Sequence, residues 1–437
     1  MRAKLQQIIY RISGSYWFVP TMMAIASLIA SRLSIAIDRS FGSDWIDMFP
    51  AAALNQPEGA RALLATVAGS MITVAGVTFS LTMVAVSHAT SHYGPRLLDN
   101  IMRDRGNQIT LGTFVATFLF CLMILRTVRS GQPDGAEIET TLFVPHLSTL
   151  IAFILTLASV GVLIYFIHHI PESIHISNVL GNISKMLEAK VDELFPEKMG
   201  DPKEERPRSA IDWESAFEIA SDRAGYLQGI DQTGLIDYAS ERDLIVKLLV
   251  RPGGRILLGQ PIAQIIPSDP PHLSDDRHGS GFSSQDEIQE CTDGFLACLA
   301  IGTMRTPTQD LFFILHQYVE IAVRALSPGV NDPFTAIQCI DQLANALVLI
   351  DRRSLPSVYR VDKEERLRVV TADLTWEMII GETITVLRPY AESDPNVKQH
   401  LAETISTIKT VVKQPELIEQ LEQIQSQLTA WEQAQSH

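Results

Sequence analysis

The chain has 437 residues, 46% of them hydrophobic, with a formal net charge of -15 and four cysteines. That acidity argues against a nucleic-acid partner. Cys121, Cys291, Cys298 and Cys339 form no C-x-x-C pair, so neither a disulfide framework nor a zinc ribbon is indicated and buried free thiols are expected.

A mean hydropathy of +0.13 averages two unlike halves. Residues up to 170 are apolar enough for a bilayer, whereas most acidic residues follow residue 185 and read as solvated helix faces. The N-terminal stretch carries Arg2, Lys4 and Arg11 without a short apolar core ending in small residues. It therefore reads as a flank to a retained first span, not as a cleaved signal.

Four apolar segments follow: 17–37, 62–89, 109–128 and 143–170. At about 1.5 Å per residue each is long enough to cross a hydrocarbon core of about 30 Å. Pro20 sits in the first turn of the first segment, where a missing amide is tolerated. Arg32 and Arg126 stand near segment ends, as two snorkelling side chains or as a basic ring at an outer mouth. The loop between the second and third segments carries Arg96, Arg103 and Arg105. The other two loops are richer in acid, with Asp38, Asp44, Asp47 and Glu58 in one and Asp134, Glu137 and Glu139 in the other. The positive-inside rule then puts both termini in the cytosol, with four spans.

The second segment has an unusual face. Ser70, Thr73, Val77, Ser80, Val84 and Ser87 recur at helical spacing beside Gly69 and Gly76, while Leu63, Met71, Ile72, Phe79, Leu81 and Met83 supply bulk elsewhere. Contact with lipid does not require such a stripe; a close helix–helix seam or a wet path does. Histidines gather near the inner ends: His88 and His92, four apart, and His168 and His169. They read either as a pH gate or metal site, or as amphipathic residues packed at the cytosolic interface. No acidic ligand joins them at fixed spacing, so no metal is assigned.

The second segment continues into Pro95-Arg96-Leu97-Leu98, Asp104 and Leu111-Gly112-Thr113-Phe114. With these residues the chain resembles, over nearly its whole length, the uncharacterised family of predicted bacterial membrane proteins called DUF2254. The resemblance implies a multi-span inner-membrane protein with a cytosolic C-terminal region. It brings no activity and no catalytic residues.

Residues 173–195 show a helical period through Ile176, Leu180, Ile183, Leu187, Val191 and Leu194, and 196–207 read as a linker. Residues 225–267 alternate short apolar runs with Gly, Pro and Asp turns, the pattern of a small β-barrel or sandwich. Arg251-Pro252-Gly253-Gly254 and Leu258-Gly259-Gln260-Pro261 resemble the turn-and-strand ending of lipoyl-like modules, but the corresponding stretch 232–243 has no lysine to carry a cofactor. Residues 269–284 read as a loop.

Helices resume at 309–326 and lead into Arg324-Ala325-Leu326-Ser327-Pro328-Gly329-Val330-Asn331-Asp332-Pro333. This is the second stretch that carries the family resemblance, together with Arg305-Thr306-Pro307-Thr308-Gln309-Asp310. Ser327-Pro328-Gly329 stops one helix, Asn331 or Asp332 can cap the next, and Pro333 suits its first turn. The corner is either a fixed helix junction or a polar loop at a subunit interface or vestibule. Further helices are expected at 336–350, 370–387 and 400–431, the last with an apolar seam for helix packing, within or between subunits.

The fold expected is therefore α-helical and membrane-embedded, with four spans (1–170), a connecting helix and linker (171–207), a small β-rich cytosolic module (208–270) and a C-terminal helical bundle (271–437). No Ser-His-Asp set, HExxH, P-loop or dinucleotide fingerprint occurs, so the chain reads as a non-enzyme without a cofactor. The function expected is an oligomeric ion channel or small-solute pore with a cytosolic regulatory domain. The alternative is a non-transporting membrane sensor or scaffold that binds a partner.

Overall fold

A computed structural model describes residues 15–41, 57–97, 102–128, 143–194, 211, 213–214, 216–268, 285–353 and 355–435. The linker and loop expected at 196–207 and 269–284 lie outside these residues, as do Arg2, Lys4, Arg11, Asp44, Asp47, Asp134, Glu137 and Glu139. The chain divides into two compact units. The first takes in residues 10–91 and 95–178, and the second residues 92–94 and everything from 179.

The first unit is helical. Its elements are α1 (Phe18–Phe41), α2 (Pro57–Tyr93, whose last residues pass to the second unit), α3 (Arg105–Leu125) and α4 (His146–Ile174). α1 lies closest to α3 because α3 offers almost no side chain at the crossing. A Cβ on Gly112 would stand 2.5 Å from Met23 Sδ and 3.2 Å from the Pro20 backbone. Four residues on, Ser27 Oγ donates to the Ala116 carbonyl across the same seam at 2.6 Å. Small residues spaced by four are what lets two helix backbones approach in an apolar medium. Leu64 and Ala68 of α2 pack with Phe120, Cys121 and Ile124 of α3, and Met71 and Ala75 with Phe114.

α5 (Ile176–Leu194) follows α4 after a break at His175 and enters the second unit. Its buried residues Val179, Leu180, Ile183, Leu187 and Val191 follow the expected helical period. Beyond it come β1 (Phe217–Ala220), β2 (Gly225–Ile230), α6 (Gln232–Glu241), β3 (Leu244–Leu248), β4 (Arg255–Ile256) and β5 (Pro261–Pro267). Then come α7 (Gln285–Ala297), β6 (Leu299–Gly302), α8 (Leu311–Ala325), α9 (Pro333–Arg353), β7 (Tyr359–Val361) and β8 (Leu367–Val370). The chain finishes with α10 (Trp376–Ile380), a π-helical turn (Gly381–Thr385), α11 (Val386–Ala391), α12 (Pro395–Val411) and α13 (Pro415–Gln435).

The strands make a five-stranded sheet in the order β1-β5-β3-β8-β7 and a three-stranded sheet in the order β4-β2-β6. Only β3 and β8 run parallel. This corrects the expectation of a barrel or sandwich closed within 208–270. β3 and β2 are completed by β8 and β6, which lie far along the chain, and most of the stretch 232–243 is helix (Gln232–Glu241). Asp231 decides the helix locally, since its carboxylate accepts the Gly234 amide at 3.0 Å as an N-cap.

Two further expectations change. Residues 367–370 are strand, and the helix expected at 370–387 starts only at Trp376, capped by Thr375. The helix expected at 400–431 is two helices, because Pro415 opens α13 and the buried Asp351 carboxylate accepts the Lys413 and Gln414 amides between them. The apolar seam of 400–431 is covered within the chain: Leu401, Ile405, Ile408, Leu417, Leu421 and Leu428 are all buried.

Five described helices are long and apolar enough to cross a membrane: α1 to α4 and α9. α9 differs from the others in kind. It lies in the second unit, where a buried stripe from Ala336 through Ile340, Leu343 and Leu347 to Ile350 packs on α8 and α12. The four cysteines are free and buried.

Candidate functional site

In the helical unit, the structure places the stripe of α2 on the outside. Ser70, Thr73, Val77, Ser80, Val84 and Ser87 are exposed, and nothing lies within 4 Å of a Cβ built on Gly69 or Gly76. The opposite face of α2, from Leu64 through Ala68, Met71, Ala75, Thr78 and Thr82 to Ala89, is the buried one. The exposed hydroxyls do not point at empty space. Ser70 donates to the Val67 carbonyl (3.0 Å), Thr73 to Gly69 (2.9 Å) and Ser80 to Gly76 (2.9 Å), each one turn back on its own helix. Such back-bonding satisfies a hydroxyl without any partner helix or water.

The exposed faces of the neighbouring helices are of another kind. α1 exposes Met22, Ile25, Ile29 and Leu33; α4 exposes Phe153, Ile154, Leu157, Val160, Ile164 and Ile167. Those are bulky side chains suited to acyl chains. α2 also exposes Ile72, Phe79 and Leu81, but among the described residues of these three helices its outward face is the one that combines glycines, serines and a threonine with Val77 and Val84.

Two polar junctions tie the unit together at its ends, and both use a carboxylate at a helix N-terminus. Asp38 of α1 accepts the Leu147 amide (2.9 Å), the Ser148 amide (3.0 Å) and the Ser148 hydroxyl (2.6 Å), so it caps α4 from another helix. Sequence reading counts Asp38 only as loop charge; its partners are 109 and 110 residues away. At the other junction Asp104 caps α3 through the Gly106 amide (3.0 Å) and lies 2.5 Å from His169 Nε2. Tyr165 stacks on the His169 ring at 4.9 Å. Gly106 has to be small here: a Cβ would fall 2.6 Å from His169 Nε2 and 2.7 Å from the Tyr165 hydroxyl. Next along α3, Asn107 and Thr110 are each 1% exposed, and neither Asn107 amide atom nor Thr110 Oγ1 has a hydrogen-bond partner among the described residues.

The four candidate histidines therefore part company. His169 is in the Asp104 junction, whereas His168 is exposed and pairs with Glu172 one turn on at 3.3 Å. His88 and His92 are exposed at the end of α2. Among the described residues no group of three or more His, Cys, Asp or Glu side chains could hold a metal ion.

In the second unit, residues 324–333 form the junction between α8 and α9. Ser327 Oγ donates to the Arg324 carbonyl (2.6 Å), and Arg324 approaches Glu320 at 3.7 Å. The Val330 and Asn331 amides close back on the Ser327 carbonyl. Asn331 takes a left-handed φ of 49°, a conformation Asn tolerates better than most residues. Asp332, not Asn331, is the cap of α9: its carboxylate accepts the Thr335 amide (3.1 Å) and hydroxyl (2.6 Å), with Pro333 in the first turn. Pro328 and Gly329 lie in the turn, and a Cβ on Gly329 would meet nothing within 4 Å.

The other stretch in this unit, 305–310, meets 251–254 in space. Asp310 is buried, caps α8 through the Phe313 amide (3.1 Å) and takes both Arg305 Nε (2.7 Å) and Nη2 (2.9 Å). Gly253 passes so close, with φ of 83°, that a Cβ would lie 2.1 Å from Asp310 Oδ2. Arg251 covers the Phe312 ring at 4.2 Å and pairs with Glu382 in the π-helical turn, which His316 also reaches at 3.0 Å. The sequence names each stretch but has no signal that they converge.

These features belong to a chain whose class is membrane protein: residues 13–407 match the model of the family described as "Predicted membrane protein (DUF2254)", and the chain belongs to that family. Relatives include "Uncharacterized protein Rv1290c" of Mycobacterium tuberculosis strain H37Rv and "Uncharacterized protein Mb1321c" of Mycobacterium bovis. Each is 29% identical over 419 residues, covering 93% of this chain and 74% of the relative. No solved structure matches.

Proposed function

We propose that this protein is a homo-oligomeric channel or pore for ions or small solutes. In this reading α1 to α4 cross a bacterial inner membrane, both termini are cytosolic and the second unit is a cytosolic regulatory domain. The observation that carries it is the outward face of α2. α1 and α4 expose bulky apolar side chains; α2 exposes Ile72, Phe79 and Leu81 as well, but beside them Gly69, Ser70, Thr73, Gly76, Val77, Ser80 and Ser87. Four helices enclose too little space for a solute path, so the path would run between copies with α2 at the axis. The basic residues Arg96, Arg103 and Arg105 between α2 and α3 support the orientation. α9 stays outside the bilayer in this reading because its polar face and its packing on α8 and α12 belong to a water-facing fold. The lipid bilayer is the surrounding partner, and no catalytic step, cofactor or nucleic acid enters.

One observation favours a second reading. The hydroxyls of Ser70, Thr73 and Ser80 bond their own helix and leave a smooth face for dry packing. On that reading α2 is the seam of a non-conducting sensor or scaffold. Purified protein in liposomes separates the two. Flux of small ions or solutes that falls when Ser70, Thr73 and Ser80 are replaced by Leu, with assembly intact, supports the pore. A confirmed oligomer without flux across a broad panel refutes it and leaves the scaffold.

A further inference from the structure

Two arginines on adjacent strands of the five-stranded sheet have opposite surroundings. Arg368 on β8 is fully buried and doubly compensated, by Asp362 (Nε to Oδ2, 2.7 Å) and Asp243 (Nη1 to Oδ1, 2.7 Å). Arg360 on β7 has no carboxylate. Its Nη1 donates to the Ser357 and Tyr359 carbonyls and to no charged group among the described residues. Burial lowers the Arg360 pKa from its ordinary value, with no neighbouring anion opposing the shift. Arg360 is half-buried, and a partly desolvated guanidinium without a paired anion favours a counter-ion bound beside it.

Arg360 lines a pocket of about 450 Å³ within the second unit. One wall is apolar, from Leu194, Ile230, Ile236, Leu248 and Val369. Thr233 and Thr371 add hydroxyls beside Arg360, and the first turn of α6 reaches the rim. Two carboxylates also border the space, and both are otherwise engaged. Asp231 caps α6 through the Gly234 amide, and Glu193 pairs with Lys190. Arg360 is the cation of this pocket, set beside an apolar wall, and a concave space that combines apolar lining with a few polar groups is the usual form of a small-molecule site.

We propose that this pocket binds a small aliphatic anion, a carboxylate or a phosphate monoester, with Arg360 holding the charged head and the apolar wall its chain. A planar guanidinium suits either head because it offers paired N–H donors to two oxygens. The site is independent of whether α2 lines a pore, so absence of flux does not bear on it.

The test is calorimetric titration of the full chain in lipid nanodiscs with hexanoate, hexyl phosphate and the uncharged hexanamide. Binding of one or both anions in the millimolar range or tighter, with hexanamide at least about tenfold weaker, is expected, and the preferred anion identifies the head group. Arg360→Gln should abolish binding and Arg360→Lys restore part of it, since a lysine keeps the charge without the fork. Ile236→Phe narrows the pocket and leaves Arg360 untouched; it should weaken the anions in a protein with an unchanged melting temperature. No binding of either anion to folded protein, equal binding of hexanamide, or unchanged affinity in folded Arg360→Gln would overturn the assignment.

Discussion

The two units solve the same problem, a buried polar group, by different chemistry. In the helical unit the buried polar side chains are mostly hydroxyls: Ser31, Ser34, Thr78, Thr82, Thr117, Ser148, Thr149 and Ser159. Most bond a carbonyl one turn back on their own helix, as Thr82 does to Thr78 and Thr149 to Pro145. The buried charge there, Asp38, is spread over backbone amides and a hydroxyl of α4. The second unit caps with a buried carboxylate too, Asp351, but adds ionised pairs, the buried Arg368 with Asp362 and the half-buried Arg305 with the buried Asp310. A charge costs more to hold in hydrocarbon than in a water-surrounded domain, whereas a back-bonded hydroxyl costs little in either. In the proposed reading this difference matches a bilayer around the first unit and water around the second.

The sharpest break in this comparison is Asp310→Ala. It strips a buried cap and leaves Arg305 facing a gap, so the second unit should lose about 3–5 kcal/mol of stability. Thermal unfolding followed by limited proteolysis should show that unit opening while the helical unit stays resistant. Gly112→Leu makes the converse cut. The added side chain collides with Met23 and Pro20, and overpacking of this kind costs about 1–3 kcal/mol. Detergent-induced unfolding should show the helical unit weakened with the second unit unchanged.

Asp38→Ala is a smaller change in the same unit. It removes a cap of α4 and should cost about 1–2 kcal/mol. Ser148→Ala should cost less, because the backbone amides keep their acceptor. Both are measured in the same unfolding assay. The mildest effect is one of pH. Burial opposes ionisation of Asp362, but the hydrogen bond from Arg368, the Arg366 amide and the charges of both arginines outweigh it and hold its carboxyl below the usual value. A depressed folded value means that this stabilisation is complete above the unfolded carboxyl range, about pH 4, and is lost as pH falls through the folded value. The melting temperature of the second unit should decline below pH 4, and Asp362→Asn should flatten that decline while lowering stability at neutral pH.

Legibility in the sequence divided along the same line. The apolar helices could be read because lipid-like composition is a property of contiguous residues. The Asp332 cap, the Pro333 start and the α5 period are likewise local patterns. The completion of the β module was not legible because β2 and β3, besides β4 and β5 nearby, pair with β6 and β8 more than 60 residues away, and strand alternation does not name a partner. The 400–431 helix was overextended because its apolar period runs on across Pro415, and Asp351, which captures the freed amides, lies far back in the chain. The stripe on α2 was visible as a pattern; which of its faces the fold would bury was not, since both faces carry small and hydroxylated residues.

What the sequence determined by itself is where the long apolar helices lie and where several helices begin: the run of hydropathy and the caps follow from neighbours within a few turns. What the tertiary structure alone decided is which residues far apart in the chain share a charge or a seam. Asp38 meets Ser148, Asp104 meets His169, Gly253 meets Asp310, and Arg360 pairs with no carboxylate among the described residues. Those pairings depend on how whole elements cross, and a crossing is set by the shape of every side chain between them, not by any local code.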